Sequence, residues 1–518
     1  MASKLKAEYA YLSDYFNIFP LMAHSEHSSS ATKAADSHLR QQFDSNTAYP
    51  RKPKFQVSPL YDIHNQSESG ESMSRKPIEI DGRTGEGGGQ LVRVAIALAA
   101  VTTQPVRITN VRGNRPSRGG GGSGRSKKGD SSSSKGGGLK AQHVTAIRWL
   151  AEATEAEVEG LSVGSSTLTF IPRLPPSAAL VNKSRKIKIV ADTSAASTLL
   201  ILQAILPFLL FAGGDEAKPI ELEIQGGTNV DFSLSYEYLD QVLLSRLESS
   251  FEGVRVDRKV LRRGWSRGPQ SRGSIALTIH PLKPGQPLRQ VSPPANPYKG
   301  RPSDLRNVVH RIDVTMMGPS HTETSLQETL TKDIALAFPN AEINFKYFED
   351  SHSEKQVYAL LVARDASESL SWGSDDYVSG ASHRQGKHGP APVGLACVGE
   401  ISRRVVSKLV NELLIPGSTV DQYLQDQLII FQALAEGTTS FPRATAPESS
   451  SGDDVKIASQ DMAQLDLGER MRKDKTDKPF GYGSLHAQTA RWVASEILPS
   501  VEWYNKGTIC KGVGTSFS

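Results

Sequence analysis

Cysteine is nearly absent from this chain, with two in 518 residues, Cys397 and Cys510. They lie far apart and lack metal-ligand spacing, which argues against a disulfide framework or a zinc cluster and fits a reducing compartment. A basic-then-apolar secretory pattern is missing from the first residues, and Glu8 and Asp14 weigh against a transit peptide. No apolar run reaches the roughly 20 residues that a bilayer-spanning helix requires. The longest, residues 198–214, is interrupted by Gln203 and Pro207, so it is expected to be a buried core helix and no membrane partner is expected. Charge of one sign is also scarce: the net charge is +5. That balance permits a polyanionic partner without pointing to one.

Residues 1–76 are rich in Ser, Ala, His and Lys without periodicity and are expected to form a disordered extension. Ordered sequence opens at Ile78–Asp81, a short strand entering the run Gly85-Glu86-Gly87-Gly88-Gly89-Gln90. A buried helix is expected from Gln90 to Val101 and a strand near 105–111. A Gly/Ser/Arg/Lys stretch at 117–138 reads as a flexible basic loop. Helices and strands then alternate in pairs to about 280, which gives a mixed α/β (α+β) class. Composition shifts between 281 and 395, where a smaller inserted α/β domain is expected. Residues 396–518 close the core and carry a further polar insertion at 443–481.

The glycine run places small residues at a helix start, where a ligand can approach exposed backbone N–H groups. It is neither a Walker loop nor GxGxxG. Glu86 within it suits either a cation beside a phosphate or the ordinary preference for an acid at a helix N-terminus. Arg93, on an apolar stretch, calls for an anionic partner, and Arg112 with Arg115 follows a strand where side chains project into a cleft. Arg255, Arg258, Lys259, Arg262 and Arg263 form a basic cluster that reads either as a surface face or as part of an RNA track. Gln142-His143 stands at a helix start. His383 and His388 lie in a polar stretch that does not suggest metal ligation. From Ser418 onward Val420, Leu424, Leu428, Phe431 and Ala435 form a helical stripe, on which Gln427 falls and from which Asp426 points away. His486 stands at the start of a C-terminal helix; neutral imidazole is a competent nucleophile, although spacing alone equally suits a helix-start histidine.

Together these pieces resemble the RNA 3′-terminal phosphate cyclase family, in order from about 77 to 518, and look closest to the eukaryotic cyclases. The resemblance rests on Ile78-EIDG with GEGGGQLVR to Val94, Val111-RGNRP, Gln142-His143, Ala191-DTSAAST, Gly226-GTN, Gly386-KHG, Ser418-TVDQYLQDQLIIFQALAEG, Gly483-SLHAQTA and Cys510-KGVGT. It implies a fold of repeated units, two helices on a four-stranded sheet, with a small α/β domain inserted. It implies an ATP-dependent enzyme that adenylylates His486, passes AMP to an RNA 3′-phosphate and closes a 2′,3′-cyclic phosphate. Under it Asp426, Gln427, Gln142 and His143 serve the nucleotide, Arg93, Arg112 and Arg115 the phosphates and RNA, and Glu86 a divalent cation, Mg²⁺ or Mn²⁺. The implied partner is RNA with a 3′-terminal phosphate, the implied compartment the nucleus, and no obligatory protein partner is implied. One departure stands out: the family's RG-x-x-P-x-GGG entry is here Arg263-GWSRGPQSRGS, without the glycine triplet. A non-catalytic cyclase-like ribosome biogenesis factor is the main alternative, and an enolpyruvyl transferase of related repeat architecture a more distant one; neither would require His486.

Overall fold

The computed structural model describes residues 75–115, 137–214, 217–265, 270–291, 304–379, 395–443, 470–471 and 479–517. The N-terminal extension, nearly all of the basic loop and of the 443–481 insertion, and the Gly386-KHG segment with His383 and His388 lie outside the described residues.

Two successive stretches fold into the same unit. In the first, strand β1 (Ile78–Asp81), helix α1 (Gly89–Thr102), β2 (Val106–Thr109), α2 (Ala141–Thr154), β3 (Glu157–Glu159) and β4 (Leu168–Ile171) make a sheet of order β1-β2-β4-β3. In the second, β5 (Lys186–Val190), α3 (Thr198–Leu210) and β6 (Ile220–Gly226) lead into a helix, α4. That helix runs from Tyr236–Tyr238 through a π-helical stretch, Leu239–Leu244, into Ser245–Ser250. Strands β7 (Arg255–Arg262) and β8 (Gly273–His280) complete the order β5-β6-β8-β7. In both units the first two strands are parallel, joined by a crossover helix, and the last two are antiparallel. The repeat implied from sequence is therefore present in topology and strand direction.

The apolar run 198–210 becomes α3, which packs against α1 and α2 and so buries nearly every face. Ser197 caps it, its hydroxyl accepting from the Leu200 N–H at 3.1 Å. Gln203 is the polar exception inside it. Among the described residues no helix is long and apolar enough to cross a membrane.

A third sheet, β10 (Glu342–Asp350), β9 (Val309–Gly318), β11 (Gln356–Asp365) and β12 (Ser371–Ser379), carries α5 (Glu323–Ala337) and α6 (Leu395–Leu413) on one face. Strand β11 explains the attachment. Tyr358, Leu360 and Val362 join the main core, while Val357, Ala359, Leu361 and Ala363 join a second core with the two helices. Alternation along a strand sends successive side chains to opposite faces, and here both faces are apolar and covered. The second core takes in α6, which the composition break at 395 groups with the residues after it. The last unit is built from α7 (Gln422–Leu434), β13 (Thr438–Ser440), β14 (Arg470–Met471), α8 (Leu485–Ile497), β15 (Glu502–Tyr504) and β16 (Ile509–Lys511).

Candidate active site

Helices α1 and α8 pack together, bringing the glycine run against the residue block that contains His486. The backbone N–H of Glu86 donates to Thr489 Oγ1 at 3.1 Å, joining residues 403 positions apart. The Glu86 carboxylate pairs with Arg115, and the same oxygen lies 3.6 Å from His486 Nε2. Its other oxygen, Oε2, is buried without a hydrogen-bond partner. Such an atom ordinarily costs stability unless something binds it.

Arg93 is 8% exposed and is held by two amides. Its Nε donates to Gln203 Oε1 at 2.5 Å and its Nη2 to Gln90 Oε1 at 2.8 Å, while Gln203 Nε2 donates to the same Gln90 oxygen at 3.1 Å. None of these partners carries charge, so the guanidinium keeps its full positive field. Burial, with the nearby Arg112, lowers its pKa to about 9. A methyl group on Gly89 would come within 2.6 Å of Arg93 Nη1 and 2.8 Å of His143 Nε2. The missing side chain therefore lets both groups share the space at the start of α1. His143 is buried, accepts the Lys140 N–H at Nδ1 (3.2 Å), and has its pKa pushed far down by desolvation and by Arg93, Arg112 and Lys140. It is a neutral ring presenting Nε2 to the cluster. Arg112 is half-buried, its Nε without a partner and its Nη1 3.4 Å from the Gly138 carbonyl.

His486 sits in the first turn of α8. Ser484 caps that helix, its hydroxyl accepting from the Ala487 N–H at 3.0 Å and donating to Asp426 Oδ1 at 2.7 Å. Asp426 Oδ2 lies 3.9 Å from His486 Nδ1. Burial raises the Asp426 pKa to about 7. His486 moves the other way, to about 4, through desolvation and the Arg93 and Arg115 guanidiniums. Glu86 does little to oppose this because Arg115 already neutralises it. The approach to α8 is fixed by Arg491, 1% exposed, which donates to the carbonyls of Phe480 (3.3 Å) and Tyr482 (2.6 Å). Gly483, at φ +99°, abuts Gln425 Oε1 where any side chain would collide. Asp426 is placed in turn by Asp421, which caps α7 through the Tyr423 and Leu424 N–H groups, both at 3.0 Å. Asp421 also accepts from Tyr238 Oη (2.5 Å) and the Gly373 N–H (2.9 Å), tying α7 to α4 and β12.

Of the sequence candidates, Glu86, Arg93, Arg112, Arg115, His143, Asp426 and His486 converge. Gln142 is half-buried beside His143, with no side-chain hydrogen bond among the described residues. On α7 the two polar neighbours diverge: Asp426 is 6% exposed and faces the cluster, whereas Gln427 is half-buried and turned away, on the side of Phe431. Gln427 lines, with Gln203, Leu234 and Phe431, a small and mostly apolar cavity. The basic cluster on β7 is also narrower than expected. Arg258 turns inward to Asp240 (2.7 Å) and Glu248 (2.7 Å), and Arg263 is taken by Glu237 and Glu349. Sequence reasoning missed Gln203, Gln90, Ser484 and Thr489. Gln203 had a signal, a lone amide in an apolar run, and Ser484 had the usual helix-cap position; Thr489 had none.

Removing the cap is expected to cost measurable stability. Ser484→Ala should lower the unfolding free energy by about 1 kcal/mol, read from the denaturant midpoint at unchanged slope. A shift indistinguishable from zero would mean that the hydroxyl does not support α8.

This arrangement defines a class of site, one that gathers arginines around a neutral imidazole, a setting suited to an anion. The family model for RNA 3′-terminal phosphate cyclase matches residues 84–456, which includes Glu86 through Asp426 and stops short of His486. The chain is similar to the RNA 3′-terminal phosphate cyclase of Thermococcus gammatolerans, 32% identical over 362 residues, 70% of this chain and 86% of that protein. It is similarly related to those of Methanosarcina mazei (32% over 379 residues, 70% and 89%) and Drosophila melanogaster (30% over 371 residues, 71% and 86%). The chain belongs to the RNA 3′-terminal phosphate cyclase family.

Proposed function

We propose that this protein converts an RNA 3′-phosphate into a 2′,3′-cyclic phosphate, using ATP and a covalent AMP on His486. The observation that carries the reading is a neutral, accessible His486 beside Arg93, Arg115 and the Glu86 carboxylate. At neutral pH the Nε2 lone pair is free, since protonation is disfavoured down to about pH 4. Attack of Nε2 on the α-phosphorus forms the N–P bond and breaks the bond to pyrophosphate. Positive charge then builds on the ring, and Asp426, opposite Nδ1, is placed to offset it. A separation of 3.9 Å is longer than a hydrogen bond, and such contacts commonly shorten once substrate is bound.

An oxygen of the RNA 3′-phosphate next attacks the AMP phosphorus, and the N–P bond breaks to restore His486. The adjacent 2′-hydroxyl then attacks the RNA phosphorus, losing its proton as AMP leaves with the bond electrons. Both transfers bring polyanions together, and Arg93, Arg112 and Arg115 supply the opposing field. Among the described residues no group of three or more His, Cys, Asp and Glu could hold a metal alone. The unpartnered Glu86 Oε2 therefore fits a Mg²⁺ or Mn²⁺ ion that draws its other ligands from phosphates and water. Such an ion supplies charge neutralisation between the phosphates.

The test is transfer of label from ATP. Wild-type protein with Mg²⁺ or Mn²⁺ should retain label from the α-phosphate and none from the γ-phosphate, in an acid-labile, base-stable bond. Protein that takes up no label with either ion would instead fit the non-catalytic branch.

A further inference from the structure

We propose a second phosphate-binding site, away from His486, that grips the RNA strand upstream of its 3′ end. The inference rests on the cyclase reading for the identity of the strand. The site is a cavity of about 460 Å³ between the β7–β8 end of the second repeat and residues 349–352 of the inserted domain. It shares no lining residue with the His486 cluster.

Four features of its wall point to an anion. Arg263 is already committed, gripping Glu349 in a bidentate pair (2.8 and 2.6 Å) and reaching the buried Glu237 as well. Asp350 also lines the cavity, and its carboxylate accepts from the Ser320 hydroxyl and from the His352 N–H at 2.8 Å. Arg262 and Arg272 line the same space and make no ion pair or hydrogen bond among the described residues. Trp265 is 2% exposed, and its indole N–H is buried with no acceptor. A buried donor left unsatisfied is costly, and an oxygen-rich ligand removes that cost. Two unpaired guanidiniums and an orphaned N–H match the several acceptor oxygens of one phosphate group.

The place of the cavity favours an RNA phosphodiester over a free nucleotide. Ser271, next to Arg272, is hydrogen-bonded to Ser194 at 2.9 Å, in the loop between β5 and α3. In that loop Asp192 is held by α2 through Arg148 (2.9 Å) and through its N–H to Thr145 (3.3 Å). One rigid loop thus connects the cavity rim to the helices that carry His143 and Gln203. The cavity shares no lining residue with the cluster around Arg93, so one ligand that fills both must be extended, as an RNA strand is and a mononucleotide is not.

The experiment compares wild type with the Arg262→Ala/Arg272→Ala double variant on two 3′-phosphorylated RNAs, a trinucleotide and one of about twenty nucleotides. Wild type should bind the longer RNA more tightly. The variant should lose about tenfold in affinity for the longer RNA only, and its salt slope should fall by about 0.7, the contribution of one phosphate contact on a single strand. Uptake of AMP by His486 should be unchanged, and Lys at both positions should restore most of the affinity. Equal losses on both RNAs, or no length dependence in wild type, overturn the proposal. So does a variant that loses ADP binding, measured on a His486→Ala background, yet keeps its preference for length. Because RNA binding is read without turnover, a wild type that takes up no AMP but shows this length effect would sink the cyclase reading and leave this site standing.

Discussion

His486→Ala should retain no AMP from α-labelled ATP while unfolding at nearly the wild-type midpoint. The side chain is 42% exposed and caps nothing, since Ser484 satisfies the helix end, so its loss leaves no large cavity. His143, the other imidazole in the cluster, is buried, and its Nδ1 already accepts the Lys140 N–H. Loss of a covalent nucleophile commonly costs on the order of 10⁴–10⁶ in rate. Residual labelling within about tenfold of wild type would remove His486 from the mechanism. The pH profile adds a finer signature. An ordinary histidine would lose nucleophilicity as pH falls through about 6.5. Here kcat/KM for adenylylation should first decline near pH 7, where Asp426 takes up a proton and its negative charge opposite Nδ1 disappears. A second decline should come only near pH 4, where the ring itself protonates. Asp426→Asn should lower the plateau and abolish the first decline. If that variant keeps an inflection near 7, the titrating group lies elsewhere.

Glu86→Ala is expected to have the next largest effect, a loss of about 10- to 100-fold in cation-dependent adenylylation. The half-saturating concentration of Mg²⁺ or Mn²⁺ should rise by a comparable factor. Stability should change little, within about 1 kcal/mol, because the Glu86 carboxylate, 6% exposed, is held by Arg115 at 43% exposure, a guanidinium that water can solvate once the pair is gone. Removing the side chain also removes an unsatisfied buried oxygen. Glu86→Gln separates shape from charge: it keeps the packing over Gly88 while weakening the hold on a cation. An unchanged cation requirement in both variants would assign Glu86 a structural role only.

Local features were legible in the sequence where local physics decides them. The glycine run that starts α1, the apolar α3 and the alternation of strands and helices all follow from side-chain pattern. What escaped was set by distance along the chain. Gln203 reaches Arg93 across 110 residues and Thr489 reaches Glu86 across 403, and no periodicity encodes either contact. The partners of Asp426 escaped for a different reason. Helix α7 is buried on most of its faces, so its apolar stripe has little contrast and cannot say which polar residue points inward. The charged strand β7 hid Arg258 similarly: its inward turn depends on Asp240 and Glu248, which belong to the preceding helix.

The link between Glu86 and Thr489 also bears on how the protein is made. Synthesis delivers Glu86 to His143 long before α8 emerges from the ribosome. The first repeat can form its sheet and helices from its own residues, but the face of α1 that α8 covers stays bare until α8 has been made. A nascent chain halted before residue 485 would hold these arginines without His486 beside them. The two sides of the cluster thus meet only once the chain has been made as far as Thr489.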